Sequence, residues 1–157
     1  MAKLSHFGND GRVKMVDVGD KPLTSRTASA TARVLLNSET IDAIRNETNP
    51  KGDPLEIARI AGIMGAKKTQ ELIPLCHQLS LSKVEIEASL DGEGVFLRST
   101  VKTEGQTGVE MEALTAVTIA GLTVYDMCKA VQKDIELTEI SLESKSGGKA
   151  EYRRSSD

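Results

Sequence analysis

From Thr27 to Leu36 the chain alternates, with Ala28, Ala30, Ala32, Val34 and Leu36 on one face and Thr27, Ser29, Thr31 and Arg33 on the other. A period of two with one apolar face predicts a half-buried strand. Ser38 is placed to cap a short helix to about Asn46, and the segment Thr48-Asn49-Pro50-Lys51-Gly52 breaks it. Asp53-Pro54 then opens a second helix, because an acceptor at the cap and proline at the first helical position both suit a helix start. Leu55, Ile57, Ala58, Ile60, Ala61 and Met64 carry this helix to Ile73, where Pro74 stops it. Its Gly62 and Gly65, with Ala58, Ala61 and Ala66, form a small-residue face that another backbone or a ligand can approach closely.

Lys83 to Leu90 alternates with Val84, Ile86, Ala88 and Leu90 inward, and Val95 to Glu104 alternates again with Val95, Leu97 and Val101 inward. With Asp91-Gly92-Glu93-Gly94 between them, the two segments form a hairpin. After Gly105-Gln106-Thr107-Gly108 a long helix is expected from about Val109 to Lys133. The last strand, Ile135 to Glu143, switches its apolar parity between Leu137 and Ile140, so a bulge is expected near Thr138-Glu139. The order β-α-β-β-α-β, with a four-stranded antiparallel sheet and two helices on one face, is the ferredoxin-like arrangement of the α+β class. Residues 1–14 and 146–157 have no apolar period and are expected to be mobile ends of a single domain spanning 1–157.

Composition narrows the function classes. A chain of 157 residues fits one domain that buries roughly two-thirds of its unfolded surface. No apolar run approaches the ~18 residues of a membrane span, and no basic-then-apolar leader stands at the start, so a cytoplasmic protein is expected. Cys76 and Cys128 form no CxxC pair and, with His77, make no zinc set, so thiols and no metal site are expected. The net charge of −3 and four aromatic residues, of which only Phe96 lies in an expected strand, argue against an RNA-reading sheet or bulk nucleic-acid binding.

The chemistry-bearing residues fall at element boundaries. His77, in Leu75-Cys76-His77, follows a proline-stopped helix, a boundary that makes it a site candidate. Asp126 and Lys129 stand at i and i+3 in the apolar run Leu122–Ala130, where desolvation would raise the acid's pKa and the ammonium would draw it back, leaving an acid poised for proton transfer. Lys21, Lys51, Lys67, Lys68, Lys129 and Lys145 lie in loops or at helix ends, a pattern suited to a polyphosphate. Gly105–Gly108 resembles an anion nest, but Glu110 and Glu112 in the following turn would repel phosphate there. Those carboxylates suit an amino-rich group such as the amidine edge of a guanine or pterin ring. Lys145-Ser146-Gly147-Gly148-Lys149 lacks the spacing of a Walker loop. Glu112 and Asp126 are fourteen positions apart on one helix, about 21 Å at 1.5 Å per residue. If both serve one small substrate, the site is shared between chains, and the stripe Ala113, Ala116, Ala120 and Gly121 would let helices of an oligomer pack closely.

The blocks KGDPLEIARIAGIMGAKKTQELIPLCHQLSLSKVEIE, GQTGVEMEALTAVTIAGLTVYDMCKAVQKDI and KSGGK, with MVDVGDK near the start, closely resemble the MoaC family of molybdenum cofactor biosynthesis over nearly the whole chain. The resemblance implies a ferredoxin-like fold and a homohexamer, a trimer of dimers with active sites at subunit boundaries. It implies a lyase, cyclic pyranopterin monophosphate synthase, that converts a cyclised dihydro-GTP into a pyranopterin with a cyclic phosphate and releases pyrophosphate. It also places catalytic roles on Asp126, Lys51 and Lys129, and substrate contacts on Leu75, Cys76, His77, Met111 and Glu112. Arg26, Lys21, Lys67 and Lys145 match basic positions around the triphosphate. No cofactor is required on this reading, and magnesium would accompany the triphosphate only as its counterion. A ligand-sensing module of the same fold would bind a nucleotide without releasing pyrophosphate.

Overall fold

The computed structural model describes residue 8 and residues 10–155. Among the described residues five strands and four helices follow one another as β1 (Thr24–Leu35), α1 (Ser38–Arg45), α2 (Pro54–Lys67), α3 (Thr69–Leu72), β2 (Leu81–Leu90), β3 (Gly94–Gly105), α4 (Glu110–Cys128), β4 (Glu136–Ser146) and β5 (Tyr152–Arg153). All pairings are antiparallel and the sheet order is β2-β3-β1-β4-β5, so the first four strands have the expected ferredoxin-like arrangement. The fifth strand is an addition to the expected four. It lies within 146–157, where Lys145 pairs with Tyr152 and Ser144 with Arg153.

The alternation of β1 has the expected cause. Ala28, Ala30, Ala32 and Val34 are buried and meet Val95, Leu97 and Val101 of β3 in the same core. The small alanines of the central strand let α4 settle close to the sheet, through Ala113, Ala116, Val117, Ala120 and Val124. Gly62 and Gly65 then bring α2 onto α4. A Cβ on Gly62 would stand 3.0 Å from the Ala116 carbonyl oxygen, and one on Gly65 would stand 2.8 Å from Ile119 Cγ1. The approach that the small face invites is therefore another backbone of the same chain. This also corrects the reading of Ala113, Ala116, Ala120 and Gly121 as an intersubunit stripe, because all four are buried within the chain.

Several boundaries move. Asn37, not Ser38, caps α1, its side chain accepting from the Thr40 N–H. The second helix does not run unbroken to Ile73, since Lys68 leaves helical geometry at φ −105 and ψ 5 and separates α2 from α3. The long helix ends at Cys128 rather than Lys133. In β4 the register slips opposite Thr31/Arg33, with Glu139 at φ 54, which is the bulge the parity switch demands. A second slip, opposite Ser29/Ala30, had no such signal. At the end of β4, Gly147 has φ 86, and a Cβ there would collide with the Ser25 carbonyl, so the chain turns back close against β1.

Candidate active site

Two groups of side chains stand at opposite ends of α4. At its C-terminal end Asp126 lies between two ammonium groups. Lys129 Nζ reaches Asp126 Oδ1 at 2.7 Å, and Lys51 Nζ reaches Oδ2 at 2.9 Å and the Asp126 backbone oxygen at 2.9 Å. Lys51 gets there from the tip of the turn Asn49-Pro50-Lys51-Gly52, whose Asn, Pro and Gly occupy the positions that favour a tight turn. The turn is closed by the Gly52 N–H donating to the Asn49 carbonyl at 3.0 Å, and Gly52 takes φ 90.

The expected desolvation of Asp126 does not hold in the single chain. Its side chain is 56% exposed. The Lys129 hydrogen bond, then that of Lys51, holds the carboxyl down at about 2, well below its ordinary 3.8. Asp126 raises the Lys129 ammonium in return. The carboxyl is thus a fixed anion that clamps two cations, not a poised acid. The helix run is apolar because its other face packs on the sheet, and the acid points off that face.

At the N-terminal end of α4, two adjoining cavities share Lys21, Thr107, Gly108 and Glu110. One, of about 600 Å³, contains the expected Leu75, Cys76, His77, Met111 and Glu112. The other, of about 500 Å³, contains Arg26, Lys145 and Lys149. Glu112 is buried, and burial pushes its carboxyl up, against the pull of its own N–H and with further help from the charge of Glu110. Burial, then the Glu112 carboxylate, pushes the Cys76 thiol up as well. Glu110, expected to meet an amino-rich group, is paired within the chain, Lys145 Nζ lying 2.8 Å from Glu110 Oε1.

The walls are tied together by hydrogen bonds that composition and spacing did not reveal. His77 Nε2 is 2.6 Å from the Val16 carbonyl, and Gln106 Nε2 donates to the Gly19 and Lys21 carbonyls at 2.8 and 3.0 Å. These bonds lay residues 16–21 along the cavity and present Lys21 to it. Arg26 donates from Nε to Gly105 O at 2.9 Å and from Nη2 to Gln106 O at 3.2 Å, fixing the loop before α4. Carbonyls hold its guanidinium without cancelling its charge.

The structure therefore brings Lys21, Arg26, Leu75, Cys76, His77, Glu110, Met111, Glu112 and Lys145 together, and Lys51, Asp126 and Lys129 together, but not the two sets with each other. Lys67 joins neither, sitting exposed in the last turn of α2. Among the described residues no group of three or more His, Cys, Asp or Glu side chains is arranged to hold a metal ion, and no helix is long and apolar enough to cross a membrane.

Residues 15–148 match the model of the MoaC family. The chain is 53% identical over 153 residues to the cyclic pyranopterin monophosphate synthase of Streptomyces griseus subsp. griseus, covering 97% of this chain and 86% of that one. It is 48% identical over 155 residues to the protein of the same name from Peptoclostridium acidaminophilum, covering 98% and 99%. Molybdenum cofactor biosynthesis protein 1 of Drosophila melanogaster is 54% identical over 155 residues, but there the chain spans only 27% of the longer protein. The chain belongs to the MoaC family.

Proposed function

We propose that this chain is a cyclic pyranopterin monophosphate synthase acting in molybdenum cofactor biosynthesis, a lyase whose substrate is a cyclised dihydro-GTP. The observation that carries the reading is the division of α4, with an acid bridging two lysines at one end and a basic cavity beside a buried carboxyl at the other. The buried Glu112 faces the amino-rich edge of the purine-derived ring, with Leu75, Cys76, His77 and Met111 around it. Lys21, Arg26 and Lys145 hold the triphosphate, and a magnesium ion bound to its oxygens would be part of the substrate. Lys67 is left with a place among the phosphate ligands only if another copy of the chain brings it there.

The phosphate step forms a bond from a sugar-derived hydroxyl to the α-phosphorus and breaks the α–β bridge, so that pyrophosphate departs. Cations at the developing charge stabilise that step most where water is excluded. Proton transfers during ring opening and closure fall to Lys129 and Lys51, oriented by Asp126. In the assembled enzyme a neighbouring copy covers the cluster, withdraws water and lifts the Asp126 carboxyl toward a range where it also exchanges protons. About 21 Å of helix separates Asp126 from Glu112, which favours an oligomer with shared sites, a homohexamer built as a trimer of dimers in the cytoplasm.

Incubation with the cyclised dihydro-GTP, followed by assays for pyrophosphate and for pterin fluorescence after oxidation, tests the reading. Wild type releases both products. Asp126→Ala and Lys51→Ala assemble but do not turn over, and full activity of either removes that residue from the chemistry. Binding without pyrophosphate release would make the protein a sensor instead.

A further inference from the structure

The turn that carries Lys51 is fastened to the end of α4 by an uncharged side chain. Asn49 is buried, and its Nδ2 donates to Gly52 O across the turn at 3.0 Å and to Met127 O in the last turn of α4 at 3.2 Å. Met127 follows Asp126, so the Asn49 amide and the Lys51 ammonium grip consecutive residues of one helix end. The orientation of the amide is fixed by chemistry. Both neighbours are carbonyls, which only accept, so the nitrogen must face them. The buried Oδ1 finds no donor within the described chain. An unmet buried acceptor is costly, and the side chain is nonetheless held where its two donated bonds are made.

A lysine ammonium is a point charge on a flexible four-carbon stem, and the Lys51 side chain is 39% exposed. Its aim therefore depends on where the turn sits. Asp53 caps α2 just after the turn, accepting from the Leu55 and Glu56 N–H groups, but it anchors the turn to α2, not to α4. Among the described residues, the bonds that join this turn to α4 are those from Asn49 and from Lys51 itself.

We propose that Asn49 is a positioning residue for the reaction, stapling the Asn49–Gly52 turn to the Met127 carbonyl and so setting the Lys51 ammonium on the Asp126 carboxylate. The inference rests on the function proposed above, and it adds a residue that makes no contact with substrate. An ångström-scale misplacement of a catalytic group costs roughly 10²-fold in rate.

The test uses the full chain in its native assembly and two variants. Asn49→Ala removes the amide; Asn49→Leu keeps its branched shape without donors and serves if the alanine variant does not fold. Without substrate, the Asp126 carboxyl is titrated by carbon-13 NMR. In either variant it titrates higher than in wild type, because one of the two cations that hold it down is released. With substrate, kcat falls roughly 10²-fold while KM changes little. An unmoved Asp126 titration overturns the staple. A moved titration with wild-type kcat overturns the role in the reaction. Should wild type not turn over the cyclised dihydro-GTP, the proposed function fails, and the titration still decides the staple.

Discussion

Mixing two inactive variants offers a sharp measure of whether the ends of α4 serve one site or two. Asp126→Ala breaks the clamp at one end, and Glu112→Gln removes the buried carboxyl at the other while keeping its shape. Fourteen residues at 1.5 Å put these groups about 21 Å apart, beyond the reach of one bicyclic ring system. If each site takes its clamp from one copy and its cavity from another, a randomly mixed assembly rebuilds some intact sites. A site is whole when its clamp comes from a Glu112→Gln chain and its cavity from an Asp126→Ala chain. With equal amounts each choice has an even chance, so about a quarter of wild-type activity returns. Lys51→Ala supplies the control. Lys51 and Asp126 meet within one chain at 2.9 Å, so mixing Lys51→Ala with Asp126→Ala leaves every clamp broken and restores nothing. The chains are co-expressed with different tags, mixed assemblies are isolated through both tags, and pyrophosphate release is followed. Absence of recovery in the first pair, or equal recovery in both, refutes the shared-site argument.

Two further expectations concern stability. The Glu112 carboxyl is raised above its ordinary 4.5, chiefly by burial. A carboxyl raised on folding lowers stability above its folded pKa and has no effect below its unfolded one. Glu112→Gln therefore raises the thermal midpoint at neutral pH, and the difference closes as the pH falls toward about 4.5; an unchanged or lowered midpoint at neutral pH contradicts the burial argument. Gly65→Ala places a methyl 2.8 Å from Ile119 Cγ1 and 2.9 Å from Ile119 Cβ. Overpacking of this kind costs about 1–3 kcal/mol, and the better helix propensity of alanine returns about 1 kcal/mol. A net loss of up to about 2 kcal/mol is expected in urea denaturation, and a stabilised variant would mean that α2 and α4 can separate freely.

The parts of the fold that could be read from sequence are those where one periodicity dominates. Ala28, Ala30, Ala32 and Val34 point inward because a strand has no other way to bury alternate residues, and the parity slip in β4 could only be a bulge. Helix ends were harder to read. Lys68 interrupts the second helix although neither glycine nor proline stands there, and Lys129–Lys133 leave the helix although the composition favours helix. The environment of Asp126 was misread for a related reason. Apolar neighbours in sequence distribute around a helix, and Val124, Met127 and Cys128 turn to the core while Asp126 faces water. Asn49 was invisible as more than a turn residue, because its second partner, Met127, is 78 positions away.

The charge pattern explains why a chain with net charge −3 suits a polyphosphate. Around the smaller cavity Lys21, Arg26, Lys145 and Lys149 face the single carboxylate of Glu110, and at the clamp two ammonium groups face one carboxylate. Each cluster keeps a surplus of positive charge while its internal acid limits repulsion before substrate arrives. The arrangement also sorts the cations by task. Arg26 is held by backbone carbonyls and keeps its full charge for a ligand. Lys145 must share or surrender its bond to Glu110 when a phosphate approaches, so its contribution to binding is reduced by the cost of that exchange. Arg26→Ala should therefore weaken substrate binding more than Lys145→Ala, and by an amount that shrinks with added salt as screening reduces the interaction between exposed charges.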